Sequence, residues 1–124
     1  MRLSLEELEL RAFDPPHLGM PGWACQAGRR EDEGRFVEIF VAVREGRIVD
    51  AGFLTNIPGH GLVCASVYCD QVLDKTVEEA LALREQDIMA LFPLPMQEDA
   101  ALRDIVSLCV DAGVSSIGAC LPQP

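Results

Sequence analysis

The side chains of this chain best equipped for chemistry are its five cysteines and two histidines. Cys25 lies in a glycine-flanked stretch shortly before Arg29 and Arg30, and nearby guanidinium charge favours a thiolate over a thiol. It is expected to be the most reactive sulfur of the five. His60 and Cys64 are four residues apart in an apolar run that reads as a helix, so they share one face within ~40°. Cys69 stands ~140° round that helix from Cys64, too far to share an ion with it. Free cysteine is also among the most buried residue types, so Cys69 and Cys109 are expected to be small core hydrophobes, a reading equally open to Cys64. Cys120 sits in an unpatterned tail and is expected to be incidental, while His17 is expected to structure a loop.

The elements that must position these groups are few. Ser4-Leu5-Glu6-Glu7 is a capping box, with Leu3 and Leu8 spaced as the accompanying hydrophobic staple. It opens a helix over about Leu5 to Ala12 that Pro15-Pro16 ends. Residues 16–34, with four glycines and the charged run Arg29 to Glu33, read as a solvated loop. Arg35 to Val43 is a β-branched and aromatic strand, and Arg44-Glu45-Gly46 turns it into a second strand from Arg47 through Thr55, whose Ile48, Ala51, Phe53 and Thr55 suit a half-buried sheet.

Pro58-Gly59 then leads into the apolar helix of about Gly61 to Leu73. Thr76-Val77-Glu78-Glu79 is a second capping box, opening a helix through Leu83, and a further short helix is predicted over Glu85 to Phe92. The last helix, Glu98 to Ala112, carries one apolar stripe in Leu102, Ile105, Val106 and Cys109. Gly113 is placed to end it, which leaves residues 114–124 as a loose or extended tail after a single domain of residues 1–113. Helices flank the hairpin instead of alternating with strands, so the fold class is α+β, a small antiparallel sheet with helices packed on one face.

Bulk properties narrow the function classes. With 124 residues, 49% apolar and 24% charged, the chain reads as one globular domain. Twenty acidic residues against ten basic give a formal net charge of -10. Phosphate backbones and anionic lipid are repelled by such a surface, so nucleic acid and membrane are poor partners, whereas a cation or a basic protein face suits it. MRLSLEELEL has acids where a signal peptide needs an apolar core, and no run is long enough to span a bilayer. A cytoplasmic location and reduced cysteines are expected.

The chain also resembles a known family, the IscU/NifU N-terminal type of iron–sulfur cluster assembly scaffold (the SufE/NifU fold). Ile48, Asp50, Ala51, Phe53, Thr55 and Gly59, then Lys75, Thr76, Glu79 and Ala80, fall on that family's strand-to-helix pattern. Asp87-Ile88 and Leu94-Pro95 continue it, and Asp14 to Gly19 and Pro21 to Cys25 resemble its upstream loops. The likeness covers roughly residues 5 to 112. In the family, three cysteines and an aspartate at one end of the sheet hold the cluster. The first cysteine is matched by Cys25, the aspartate falls on Ala27, and the second cysteine falls on Pro58. The third, with the histidine before it, falls on Ala101 and Ala100 or within a deletion.

A substitute donor set drawn from Cys25, His60 and Cys64 is expected near the family site, for iron, zinc or an iron–sulfur cluster, with Glu98 or Asp99 as a fourth ligand or a second chain completing it. Trp23 is placed either to cover that site as a hydrophobic lid or merely to anchor the loop. The resemblance implies a carrier without turnover of its own, whose partners are proteins such as a cysteine desulfurase or a cluster acceptor, and it leaves homo-oligomerisation open. Two other readings stand beside it: a metal-free relative acting as a protein-interaction module, and a single-cysteine acceptor of persulfide sulfur at Cys25.

Overall fold

The computed structural model describes residues 2–22 and 26–120. Their element order is α1 (Leu5–Phe13), β1 (Gln26–Asp32), β2 (Arg35–Arg44), β3 (Arg47–Thr55), α2 (His60–Val72), α3 (Val77–Leu81), α4 (Glu85–Met89), a 3-10 helix (Leu94–Glu98) and α5 (Ala100–Gly118). The three strands form one antiparallel sheet in the order β1-β2-β3. Helices α2 and α5 cover one face of it. Val37, Ile39 and Val41 of β2, with Ile48 and Phe53 of β3, are fully buried there against Val67, Tyr68, Leu102, Val106 and Ile117. The α+β class read from the sequence is the observed one. No helix among the described residues is long and apolar enough to cross a membrane.

Local sequence explains most of the framework. Ser4 Oγ accepts from Glu7 N at the start of α1, and Thr76 and Glu79 make both bonds of a capping box at α3. Glu45 and Gly46 both take positive φ, 54° and 77°, the conformation that a two-residue type I′ hairpin needs. Glu33 and Gly34 repeat the device between β1 and β2, at 52° and 80°. The outer edge of β3 is partly covered: Gly19 N donates to Phe53 O and Phe53 N to His17 O, while Ile48 N donates to Lys75 O.

The structure corrects the sequence reading in two places. Residues 16–34 are not all loop, because Gln26–Asp32 is a full edge strand paired with β2 from Gln26–Val41 to Asp32–Arg35. Only Gly28 of this strand is buried. The alternation that marks a half-buried strand is therefore missing, and the charged run Arg29 to Asp32 reads as loop while it guards an open sheet edge. Arg29 also lays its guanidinium over the Phe36 ring, 4.0 Å from the centroid.

The second correction concerns Gly113, which does not end the last helix. α5 continues to Gly118, so the expected boundary at residue 113 falls inside a helix and residues 114–118 are not tail. Gly113 is small for a packing reason: a Cβ there would come within 2.0 Å of the Tyr68 hydroxyl. Gly28 plays the same part under β1, where a Cβ would meet Ala112 O at 2.1 Å. Two glycines thus let α5 settle onto α2 on one side and onto β1 on the other.

Candidate functional site

Cys25 and Trp23 lie outside the described residues, but Cys25's chain neighbour Gln26 fixes a row of the sheet. Gln26 pairs with Val41, whereas Arg30 pairs with Val37, which pairs in turn with Thr55. The row of Gln26 is therefore four residues, roughly 13 Å, along the strands from the row at which β3 ends and the chain turns to Pro58 and His60. At the Gln26 row, Ser116 Oγ donates to Gln26 O at 2.7 Å, and the Cys120 thiol lies 3.5 Å from Ser116 O and 3.9 Å from Val41 O. Cys120, expected to be incidental, is half-buried and packs against the core.

The turn beyond Thr55 is closely tied. Asn56 Oδ1 accepts from Phe36 N at 2.8 Å and Asn56 Nδ2 donates to Gly34 O at 2.8 Å, so this loop clasps the β1–β2 turn. Thr55 Oγ1 donates to Phe36 O and accepts from Ile57 N. Pro58 is exposed here, and Gly59 caps α2 at φ 62°.

His60 begins α2 and is exposed, lining an apolar groove with Leu5, Leu8, Ala12, Val63 and Met96. Cys64, one turn later, is fully buried, and burial pushes its thiol up to about 12 from 9.0. The four-residue spacing did put the two on one stripe, but the helix end projects past the core into that groove while the next turn is sealed. Cys69 and Cys109 are buried as well, their thiols raised first by loss of water, and then by the Asp70 and Asp50 carboxylates for Cys69 and by the neighbouring Cys64 and Cys69 thiols for Cys109. A thiol kept protonated is a poor metal ligand and a poor nucleophile.

Of the remaining positions of the expected set, Glu98 is exposed at the end of the 3-10 helix, and the others are committed or have no donor atom. Ala27 sits in β1 opposite Phe40, and Ala100 and Ala101 form the first turn of α5. Asp99 is committed to that helix as its N-cap, with Oδ1 accepting from Ala101 N and Leu102 N. Among the described residues, no three histidine, cysteine, aspartate or glutamate side chains are grouped so that they could hold a metal ion.

One polar cluster went unrecognised in the sequence. Asp70 of α2 receives Arg11 of α1 on Oδ2 and His17 on Oδ1, the latter at 2.7 Å, and Arg11 also donates to Ser66 Oγ at 3.1 Å. His17 takes a positive φ of 72° to reach its partner. It is the loop-structuring residue it was expected to be; the separation of 53 residues between it and Asp70 hid the partner.

The comparisons with known proteins decide the family. Residues 28–114 match the model described as the NifU-like N-terminal domain. The chain belongs to that family. Its fold is shared with solved structures of low sequence identity. A NifU-like protein (N-terminal) from Brucella abortus is 18% identical, with a TM-score of 0.66 over 90% of this chain and 89% of that one. A protein from Fervidobacterium islandicum AW-1, described as a candidate iron–sulfur cluster assembly scaffold for the SUF system, is 14% identical, with a TM-score of 0.70 over 89% and 93%. A structure titled only as a hypothetical protein is 26% identical, with a TM-score of 0.56 over 94% and 81%. A comparison with curated protein sequences returned no match.

The NifU-like match begins inside β1 and ends inside α5, so it takes in most of β1, all of β2, β3 and α2, and most of α5. The resemblance read from Ile48 to Ala80 lies within it. The positions to which the resemblance assigns cluster ligands are Ala27, Pro58 and Ala100-Ala101, whose side chains have no donor atom.

Proposed function

We propose that this NifU-like domain takes part in iron–sulfur cluster assembly as a docking protein, without holding a cluster on a donor set of its own and without turnover. The observation that carries this reading is the fate of the described donors: Cys64, Cys69 and Cys109 are sealed in the core with raised thiol pKa values, and His60 stands apart from them in an apolar groove. A cluster needs about four soft ligands with open access. Iron, zinc or cluster binding at Cys25 with His60 and Cys64 would require Cys64 to leave a packed core.

The retained surface supports docking. The edge of β1 is exposed, with Arg29 and Arg30 balanced by Glu31 and Asp32, and the formal net charge of -10 on the chain as a whole favours a partner with a basic face such as a desulfurase or a cluster acceptor. Calorimetric titration of the purified protein with a cysteine desulfurase tests the reading. Saturable binding that Cys25→Ser leaves unchanged is the expected result. Binding that Cys25→Ser abolishes, together with a persulfide trapped on Cys25 in the parent protein, would replace docking by the sulfur-acceptor reading.

A further inference from the structure

The groove at His60 has no part in the docking proposed for the β1 edge and the acidic surface. α1 packs down through Leu8, which is buried, and leaves Leu5, Glu9 and Ala12 beside Gly59, His60 and Val63 of the α2 entrance and Met96 of the 3-10 helix. The cleft has a volume of about 200 Å³ and walls that are almost wholly apolar. Leu5, which lines it, is 62% exposed, and the elements that frame it also expose Leu94 of the 3-10 helix at 59% and Phe13, the last residue of α1, at 91%. Scattered apolar side chains are ordinary on a surface, but a concave set beside an exposed phenylalanine and leucines is the form of a docking site.

Charge selects the occupant. Glu9 lines the groove, and Glu6 of α1 and Glu98 of the 3-10 helix are exposed on the elements that build it. Arg11 is turned to the other side of α1, onto Asp70. An anionic lipid surface is repelled by this rim, and so is a second copy of a chain carrying -10.

We propose that the groove takes an amphipathic segment of a partner protein, its apolar side chain seated among Ala12, Val63 and Met96 and its lysines or arginines meeting the acidic rim. The arrangement is the helix-in-groove mode, in which apolar anchors supply affinity and flanking charge supplies orientation and association rate. It stands independently of any cargo at Cys25.

The test titrates the isotope-labelled full chain with a synthetic helical peptide bearing leucines at i, i+3, i+4 and i+7 and lysines elsewhere, followed by amide chemical shifts. The expected result is saturable shifts confined to Leu5, Glu9, Ala12, His60, Val63 and Met96, with about tenfold weaker binding in Ala12→Arg and in the surface variant Glu9→Lys. A counterpart peptide with glutamates for lysines should not bind. Shifts spread over β1 and the other acidic surface, or affinity untouched by both variants, would overturn the proposal. So would the same shifts on adding neutral lipid vesicles, or on raising the protein concentration alone, which would assign the groove to a membrane or to self-association.

Discussion

His17 Nε2 lies 2.7 Å from Asp70 Oδ1, and the other oxygen of that carboxylate receives Arg11. One side chain of α2 therefore fastens both the N-terminal helix and the loop that runs from it along the edge of β3. Asp70→Asn keeps the shape but loses the charge, and Asp70→Ala removes both bonds. With hydrogen bonds to charged groups worth about 1.5–3 kcal/mol and this carboxylate one-third exposed, Asp70→Ala is expected to lower stability by about 1–2 kcal/mol, and Asp70→Asn by less. Urea denaturation measures both. An unchanged midpoint in Asp70→Ala would show that the fastening contributes nothing.

Gly113 and Tyr68 offer a second test, because α5 packs so tightly on α2 there that a Cβ on Gly113 would strike the Tyr68 ring. The Tyr68 hydroxyl is buried without a hydrogen-bond partner among the described residues. Its removal in Tyr68→Phe should be neutral or slightly stabilising, since an unpaired buried polar group carries a desolvation cost. Gly113→Ala should instead cost about 2–3 kcal/mol by overpacking, as the added methyl meets the tyrosine ring. Thermal unfolding of the two variants should move in opposite directions or leave Tyr68→Phe unmoved; a loss in Tyr68→Phe comparable with that in Gly113→Ala would contradict the packing described.

The buried thiols predict a loss of stability in alkali. In the unfolded chain Cys64 ionises near 9.0, and in the folded one near about 12. Below pH 9 both states keep the proton and the stability is complete. Between 9 and 12 the unfolded state alone releases it, so stability falls as pH rises through that window, and Cys69 and Cys109, also raised, add to the fall. Cys64→Ala should flatten the fall, measured by denaturation midpoints across the window. For the same reason Cys64, Cys69 and Cys109 should resist a thiol reagent at about pH 8 until the protein is unfolded.

The β2–β3 hairpin turn separates backbone conformation from packing. Gly46 has a φ of 77° and open space around its Cα, so Gly46→Ala should cost about 1 kcal/mol through conformation alone. Glu45 holds a φ of 54°, which asparagine accepts more readily, so Glu45→Asn should gain a few tenths. Equal stabilities for Gly46→Ala and the parent would remove the type I′ assignment.

How far the sequence spoke depended on whether a signal was local. The capping residues Ser4 and Thr76, the strand from Arg35, the Glu45-Gly46 turn and the stripe of α5 were all legible because each is set by neighbours within four residues. β1 was missed because its side chains face water on both sides except at Gly28, and Gly113 was misread because its partner, Tyr68, is 45 positions away in the chain, from 68 to 113. The site fared similarly: the spacing of His60 and Cys64 gave a shared stripe but not the depth of each in the fold, and nothing local linked His17 and Arg11 to Asp70.

Whether this NifU-like domain holds a cluster by itself is decided by anaerobic reconstitution with ferrous iron and sulfide, followed by desalting and metal analysis. A colourless protein with no retained iron is the expected result, alike for the parent and for Cys25→Ser. Stoichiometric iron with a stable brown chromophore in the parent, lost in Cys25→Ser, would contradict it.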